Sequence, residues 1–200
     1  NIDEYTILIF IYFNTHTKKI RKAMDKLKNE RCIGIDIGKK NTFAITNNLS
    51  KKPIIINGTM MQKLYYEDLY LFNKYLKNAL SFLQNYINKN KIDTIYVGDM
   101  KKYEPYSTIV DSLFELKNVK VVLIDEENTS KASFLDSDIC VSDKFTGKRI
   151  NRSTYRSSNG TLIDADINAS YNIILKGNQL AFSNCCYTHT KPEVFDISKL

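Results

Sequence analysis

The chain carries acidic residues at three separate places where carboxylates could act together. Asp36 lies between two glycines, Gly34 and Gly38, in an otherwise apolar stretch. Consecutive acids at 125–127 end the apolar run VVLI, and two more acids, Asp164 and Asp166, open a helix-like segment. Carboxylate oxygens bind hard divalent cations, and two such ions can activate water and stabilise the leaving oxygen of a phosphodiester. The acids therefore suggest metal-dependent phosphodiester chemistry, provided that the fold brings them together.

Each of these acids also has an ordinary structural explanation. An aspartate on the polar face of a strand is usually solvated, although aspartate is depleted in strands. A run of acids can be a loop tip in water, yet it is costly to bring three together unless a cation or a raised pKa relieves the repulsion. Asp164 could cap the last helix while Asp166 complements its dipole. Residue types alone leave both explanations open.

The periodicity of apolar residues predicts the elements that position these acids. Isoleucines alternate with glycine and aspartate over 33–38, which is typical of a strand, and PIIING predicts another strand of the same meander. Apolar residues at spacings of three and four predict a helix over 62–90. A strand DTIYVG, a helix over 106–116 and a strand VKVVLID follow, which implies parallel strands with crossover helices.

The remainder of the chain predicts a loop and a closing helix. Segment 136–160 is polar and basic, so we expect a loop over one edge of the sheet. The last helix is expected to start near Asp164, and the segment after Gly177 is expected to be an irregular tail. This order of elements predicts an α/β fold, an RNase H-like mixed sheet flanked by helices. The ligand crevice of such a sheet lies beyond the carboxyl ends of its strands.

Composition favours a polyanionic partner such as nucleic acid. The formal net charge is +7 and the pI about 9.1, although an AT-rich genome would also enrich lysine, asparagine, isoleucine and tyrosine. The cysteines form no Cys-x-x-Cys pair, which argues against a zinc ribbon and suits a reducing compartment, either cytoplasmic or nucleoid-associated. The apolar stretch Thr6–Phe13 is too short to span a bilayer and predicts a strand, so no membrane partner is expected.

A set of basic residues and one tyrosine surrounds the acids in the sequence. Lysine and arginine neutralise phosphates, and tyrosine can stack on a base. Any single lysine is more often simply solvated, but the group at 148–156 falls in one short loop beside Asp166. Thr129 and Ser130 offer hydroxyls either to a phosphate or to a helix cap. The candidate nucleic-acid-binding residues are Lys39, Lys40, Lys131, Lys148, Arg149, Arg152, Tyr155 and Arg156.

Several segments together resemble a known family. The chain contains GIDIGKKNTFAITNN, KPIIING, IDTIYVG, DEENTSKASF and FTGKRINRSTYRSSNGTLIDADINASYNI in this order. From Cys32 to Lys176 it resembles the RuvC-like nuclease domain of the TnpB (OrfB) family. That family comprises transposon-encoded RNA-guided nucleases related to type V CRISPR effectors. The resemblance implies DNA and a guide RNA as partners, and two Mg²⁺ or Mn²⁺ ions as cofactors.

The resemblance also implies catalytic metal ligands. Asp36 and Asp166 match the family's first and last acids, while Asp164 remains a helix cap. Gly98 stands where many members carry the middle glutamate, and a subset instead places a glutamate just before a segment matching NTSK. Glu126 is the best match to that relocated position, with its neighbours Asp125 and Glu127, and Asp99 beside the original position, as rivals. Asn168 and Asn172 also follow the family pattern, and they could hydrogen-bond the site or a phosphate.

Two further departures concern zinc and length. The segment TSKASFLD replaces the beginning of the family's zinc ribbon, so no zinc is implied. Only about thirty residues precede Cys32, where full members carry a guide-binding lobe, and the first residue is Asn rather than Met, which suggests a fragment or a minimal descendant. We therefore assign 1–30 to a remnant of a wedge-like guide-binding region and linker, 31–177 to the RuvC-like domain and 178–200 to a C-terminal tail.

Three functions remain open from the sequence. The first is a metal-dependent DNA endonuclease domain that works with a guide-binding lobe. The second is a catalytically silent nucleic-acid-binding remnant or regulator, which the glycine at position 98 and the short N-terminal segment motivate. The third is a structural RNase H-like domain that binds a protein partner.

Overall fold

The computed structural model describes residues 17–100, 103–140, 144–186 and 188–200. The strand predicted at Thr6–Phe13 lies outside these residues. The helices are α1 (Thr17–Asn29), α2 (Met61–Glu67), α3 (Leu69–Asn90), α4 (Tyr106–Leu113) and α5 (Ala165–Gly177), followed by a 3-10 turn at Ile197–Lys199. The strands are β1 (Cys32–Asp36), β2 (Asn41–Asn47), β3 (Ile54–Asn57), β4 (Thr94–Gly98), β5 (Lys120–Ile124), β6 (Lys148–Arg149), β7 (Thr154–Arg156), β8 (Leu162–Asp164) and β9 (Glu193–Asp196).

The main sheet is mixed and flanked by helices, as the sequence predicts. Among the described residues it has six strands, in the order β5-β4-β1-β2-β3-β9. Strands β1, β2 and β3 form an antiparallel meander, while β4 runs parallel to β1 and β5 runs parallel to β4. A mixed sheet of this order with helices on both faces is RNase H-like. The predicted fold class is therefore confirmed.

Four details of the sequence prediction were wrong. The segment expected to form one helix over 62–90 forms two helices. The break lies at Asp68, which is the N-cap of α3 because its side chain accepts a hydrogen bond from Leu71 N. The helix expected over 106–116 ends at Leu113. The loop expected at 136–160 contains β6 and β7, which join β8 in a second, three-stranded sheet. The segment 178–200 is not an irregular tail, since β9 pairs with β3 and Ile197 is fully buried in the core.

Helices cover both faces of the main sheet, and Asp36 lies on the face that α5 covers. Ile33 and Ile35 of β1 pack with Phe72 and Leu83 of α3 in one hydrophobic cluster. Alternate residues of a strand face opposite sides, so Gly34 and Asp36 face the other side, where α5 lies. The hydroxyl of Ser170 in α5 donates to the Gly34 carbonyl at 2.8 Å. The first acid therefore faces the helix that carries the last one.

Gly34 allows α5 to approach β1 closely. A Cβ atom at this position would lie 2.3 Å from the Ser170 carbonyl oxygen and 2.7 Å from Ile174 Cγ1. The glycine before Asp36 thus serves contact between backbone elements rather than the approach of a metal or substrate. Its place in the sequence is explained by packing.

Gly34→Ala should lower the free energy of unfolding by about 3 kcal/mol, because the added methyl meets helix backbone that cannot move aside. Urea denaturation monitored by circular dichroism would measure this change. Gly38→Ala is the matched control, since its Cβ would meet the nearest non-adjacent atom, Asn41 O, only at 3.3 Å. Equal effects of the two substitutions would contradict the packing explanation.

Candidate active site

Three parallel strands end level with one another at the edge of the sheet that carries the acids. Ile35 of β1 pairs with Val97 of β4, so Asp36 lies level with Gly98. Gly98 pairs in turn with Ile124, the last residue of β5. Crevices in open α/β sheets form beyond such carboxyl ends. Asp36 lies at this edge, and Glu126 lies two residues beyond the end of β5.

Glu126 folds back over the end of β4. A Cβ atom at Gly98 would lie 1.9 Å from Glu126 Oε1 and 2.7 Å from its Cδ. The turn after Glu126 is closed by Thr129, whose hydroxyl and backbone N–H both donate to the Glu126 carbonyl, at 2.9 and 3.1 Å. The Glu126 carboxyl group therefore fills the space above position 98, where a side chain on β4 would begin. Only glycine leaves that space free.

Asp164 and Asp166 have different surroundings at the start of α5. Asp164 Oδ1 accepts from the backbone N–H groups of Asp166 and Ile167 at 3.0 and 3.2 Å, so Asp164 is the N-cap of the helix. This confirms the capping prediction. The Asp166 carboxylate accepts a 2.8 Å hydrogen bond from Asn41 Nδ2 and lies 3.7 Å from Arg149 Nη2. Asp166 is held by side chains rather than by the helix backbone.

Burial and neighbouring charges raise the pKa of two of these carboxyl groups. Burial raises the pKa of Asp36 well above its usual range, and the negative charges of Asp166 and Glu126 raise it further. Burial, followed by the charges of Asp99 and Asp125, raises the pKa of Glu126 to about 7. The structure thus brings the charges of Asp166 and Glu126 near enough to Asp36 to disfavour its ionisation.

The rivals of Glu126 are more exposed than Glu126 itself. Asp99, Asp125 and Glu127 are exposed, whereas Glu126 is partly buried. Asp125 lies 3.6 Å from the ammonium group of Lys176. Glu126 Oε1 is buried and has no hydrogen-bond partner within the described chain. Among these four acids, Glu126 is the one whose carboxyl group is turned inward.

A divalent cation fits the chemistry of this group of carboxylates. Within the described residues, no three acidic, histidine or cysteine side chains stand close enough to hold a metal ion as they are placed. However, the charges of Asp166 and Glu126 both act on Asp36, and Glu126 Oε1 is buried without a hydrogen-bond partner among the described residues. A hard cation bound through oxygen would relieve the repulsion and satisfy that atom. The donor set suits such an ion.

The structure divides the predicted nucleic-acid-binding residues into three groups. The exposed cations that form no ion pair shorter than 4.0 Å among the described residues are Lys39, Lys40, Lys131, Lys148, Arg152 and Arg156. Arg149 instead contacts Asp166 and donates to the carbonyls of Asn151 and Arg152. The six remaining cations stay available to phosphates, and Arg149 belongs to the acidic site.

The expectation that Tyr155 stacks on a base was wrong. Its ring is fully buried in a cluster with Ile163 and Tyr171, and its hydroxyl donates to the Lys131 carbonyl at 2.7 Å. A base cannot stack on a ring that has no exposed face. Tyr155 therefore anchors the basic hairpin β6–β7 to the segment that follows Glu126.

Sequence reasoning missed one residue of the site. Asn41 opens β2 and is largely buried, with its amide bound to Asp166 across 125 positions of the chain. An asparagine after two lysines carries no sequence signal for this contact. Only the pairing of β1 with β2 and the packing of α5 against both strands bring Asn41 and Asp166 together.

The raised pKa of Glu126 predicts how stability depends on pH. The folded chain keeps a proton on Glu126 that the unfolded chain releases, between about pH 4.5 and about 7. The free energy of unfolding should therefore fall as the pH rises through this window, by up to roughly 3 kcal/mol for this group. Glu126→Gln should remove that part of the slope in urea titrations at pH 5 and pH 8. If its slope equals that of the exposed-site control Glu127→Gln, the burial of Glu126 is contradicted.

Comparisons with known proteins find similarity among solved structures. No protein-family model matches the chain, and no curated protein matches it. A cryo-electron microscopy structure of the Cas12f1–sgRNA–target DNA complex aligns with 72% of this chain at 16% identity and a TM-score of 0.47. The alignment covers 49% of the Cas12f1 chain, so this chain spans about half of that protein's length. No helix among the described residues is long and apolar enough to cross a membrane.

Proposed function

We propose that this chain is a RuvC-like nuclease domain of the TnpB kind, which hydrolyses DNA phosphodiester bonds with divalent metal ions. Asp36, Glu126 and Asp166 would be the metal ligands. The observation that carries the proposal is the position of Glu126, whose inward-turned carboxyl group occupies the space above Gly98. A glutamate supplied from the loop would take the place of one on β4, and its charge acts on Asp36.

The proposed chemistry assigns a separate task to each part of the site. When bound, two Mg²⁺ ions would activate the attacking water and neutralise charge on the leaving oxygen. The amide of Asn41 orients Asp166, since it donates to Oδ2 of that carboxylate at 2.8 Å. Arg149 places a positive charge 3.7 Å from the other oxygen of the same group. These contacts keep Asp166 fixed at the rim of the crevice.

The basic hairpin would hold the substrate backbone. Lys148 and Arg156 are directly paired across β6 and β7, and both are exposed. With Thr146 and residues 157–160 they line an open cleft of about 500 Å³. Cations that lack acidic partners bind phosphates without first breaking an ion pair. The partners proposed for the whole protein are DNA and a guide RNA, the latter bound by a lobe that precedes this domain.

A specific observation favours a second function. The described carboxylates do not stand in a ready-made metal-binding group. A catalytically silent domain would keep the basic surface and bind nucleic acid without metal. Such a domain would show salt-dependent DNA binding and no change on addition of Mn²⁺.

DNA cleavage separates the two functions. The chain at micromolar concentration, mixed with labelled single-stranded DNA and Mn²⁺, should give slow cleavage that chelation stops and Asp36→Asn abolishes. Asp111→Asn, on the remote helix α4, is the control and should leave cleavage unchanged. Cleavage that survives Asp36→Asn would refute the proposed site. DNA binding without any cleavage, even when a guide-binding lobe is added, would favour the silent domain.

Salt dependence tests the surface that is proposed to bind DNA. Replacing Lys148 and Arg156 by alanine should lower the slope of log K against log salt by about 2, because two phosphate contacts are lost. Fluorescence anisotropy with single-stranded DNA between low and high salt would measure the slope. Lys74→Ala together with Lys77→Ala removes two exposed lysines of α3 and should change it little. Equal slopes for the two double variants would contradict the proposed surface.

A further inference from the structure

Helix α5 presents polar side chains at a spacing of four residues to the segment that follows β5. Asn168, Asn172 and Lys176 all bind backbone or side-chain atoms of residues 125–134, which we call the Glu126 loop. We propose that Asn168 and Asn172 are positioning residues, which hold the Glu126 loop in register with Asp166. This inference rests on the proposed function, because it assigns these asparagines to the same metal site.

Asn172 makes the central contact of this arrangement. Its side chain is fully buried, and Nδ2 donates to the carbonyls of Thr129 and Ala132, both at 2.8 Å. Thr129 in turn donates its hydroxyl and its N–H to the Glu126 carbonyl. A short chain of hydrogen bonds therefore runs from α5 through Thr129 to Glu126.

Asn168 fixes the next part of the same loop in two directions. Its Nδ2 donates to the Ala132 carbonyl at 2.8 Å, and its Oδ1 accepts from the Phe134 N–H at 3.0 Å. The residue is fully buried, so water does not compete for these bonds. A buried amide that both donates and accepts restricts the loop more than either bond alone.

Lys176 makes the third contact from α5 to the Glu126 loop, at the N-terminal end of that loop. Its ammonium group donates to the Glu127 carbonyl at 3.1 Å and lies 3.6 Å from Asp125 Oδ2. The contacts at 168, 172 and 176 lie on one helix face, because residues four apart follow one another along a helix. Glu126 thus lies between two loop positions that are tied to α5.

The same helix also holds the other two acids. Asp166 is the second residue of α5, and Ser170 binds the Gly34 carbonyl, two residues before Asp36 on β1. Glu126 alone is carried by a loop, which has no ladder of strand hydrogen bonds to fix it. A site built on a loop needs side-chain supports to reach the precision of one built on strands and helices. The asparagines supply that support and do not contact the substrate.

The sequence expectation for these asparagines is corrected by this result. The sequence allowed them to hydrogen-bond either the site or a phosphate, and only the second alternative is overturned. Their complete burial and their bonds to backbone carbonyls exclude contact with a phosphate in this structure. Their effect on the reaction would pass through Glu126.

A double-mutant cycle on Mn²⁺ affinity tests the proposal. Asn172→Ala should weaken Mn²⁺ binding, measured by titration calorimetry, by about tenfold, as is typical for loss of a residue that supports a ligand. In a Glu126→Gln background the same substitution should have no further effect, since the residue it positions is gone. Hydrogen exchange of the loop amides at 129–134 should rise in Asn172→Ala. Asn168→Asp, which keeps the acceptor for Phe134, should show the same changes to a smaller extent.

A matched control separates positioning from general stability. Asn48 is also a buried amide that donates twice, to the carbonyls of Glu30 and Ala181, away from the acids. Asn48→Ala should lower the melting temperature but leave Mn²⁺ affinity unchanged. The proposal is overturned if Asn172→Ala binds Mn²⁺ as tightly as the unchanged chain does. It is also overturned if Asn172→Ala lowers Mn²⁺ affinity by the same factor with Glu126 present and with Glu126 replaced by glutamine. If the unchanged chain binds no Mn²⁺, the proposed function itself fails.

Discussion

A glutamate placed at position 98 on β4 should restore the Mn²⁺ binding that is lost when Glu126 is removed. Glu126→Ala is expected to weaken Mn²⁺ binding by about 100-fold or more, since loss of a ligand exceeds the usual cost of losing a supporting residue. Gly98→Glu in the same chain should recover most of that affinity. The reason is geometric, because a Cβ at position 98 would lie where the Glu126 carboxyl group now lies.

The two single substitutions provide the controls for this exchange. Gly98→Glu with Glu126 intact should lower the free energy of unfolding, because two side chains would compete for one space. Gly98→Ala should displace Glu126 and weaken Mn²⁺ binding without adding a carboxylate. Calorimetric titration gives the affinities, and urea denaturation gives the stabilities. If the double variant binds Mn²⁺ as weakly as Glu126→Ala does, the relocation of the glutamate is contradicted.

Substitutions at Asp164 and Asp166 should have different effects, because Asp164 caps α5 and Asp166 is proposed to bind the metal. Asp166→Ala should abolish measurable Mn²⁺ binding, with little effect on α5, because its carboxylate contacts side chains. Asp164→Ala should lower the free energy of unfolding by about 1 kcal/mol, as loss of an N-cap does, and change Mn²⁺ affinity only slightly. Calorimetry and urea denaturation of both variants would decide the assignment. Loss of Mn²⁺ binding in Asp164→Ala, with binding kept in Asp166→Ala, would reverse it.

The sequence predicted the main sheet because its signals were local. Alternating isoleucines marked β1, and the spacing of leucines marked α3, while the order of elements restricted the topology. The cap at Asp164 was predictable for the same reason, since the preference of aspartate for N-caps depends on neighbouring backbone. The sixth strand, β9, gave no such signal, because its four residues carry little hydrophobic pattern.

The contacts of the site were less predictable because they join distant parts of the chain. The role of Gly98 follows from a loop that returns over it, and no pattern around position 98 reveals that return. Tyr155 looked like a base-stacking residue because it lies among cations, yet its partners are a core cluster and a carbonyl 24 positions away. Asn168 and Asn172 similarly gained their partners only when α5 packed beside the Glu126 loop.

Titration of the unchanged chain with Mn²⁺, beside Asp36→Asn, tests the central claim most directly. Asp36 ends β1 and feels the charges of both other acids, so its neutral variant should disrupt the whole group. The account predicts saturable heat from the unchanged chain, for up to two ions, and no saturable heat from Asp36→Asn. Absence of Mn²⁺ binding by the unchanged chain, or equal binding by Asp36→Asn, would contradict the claim that these three carboxylates form a metal-dependent active site.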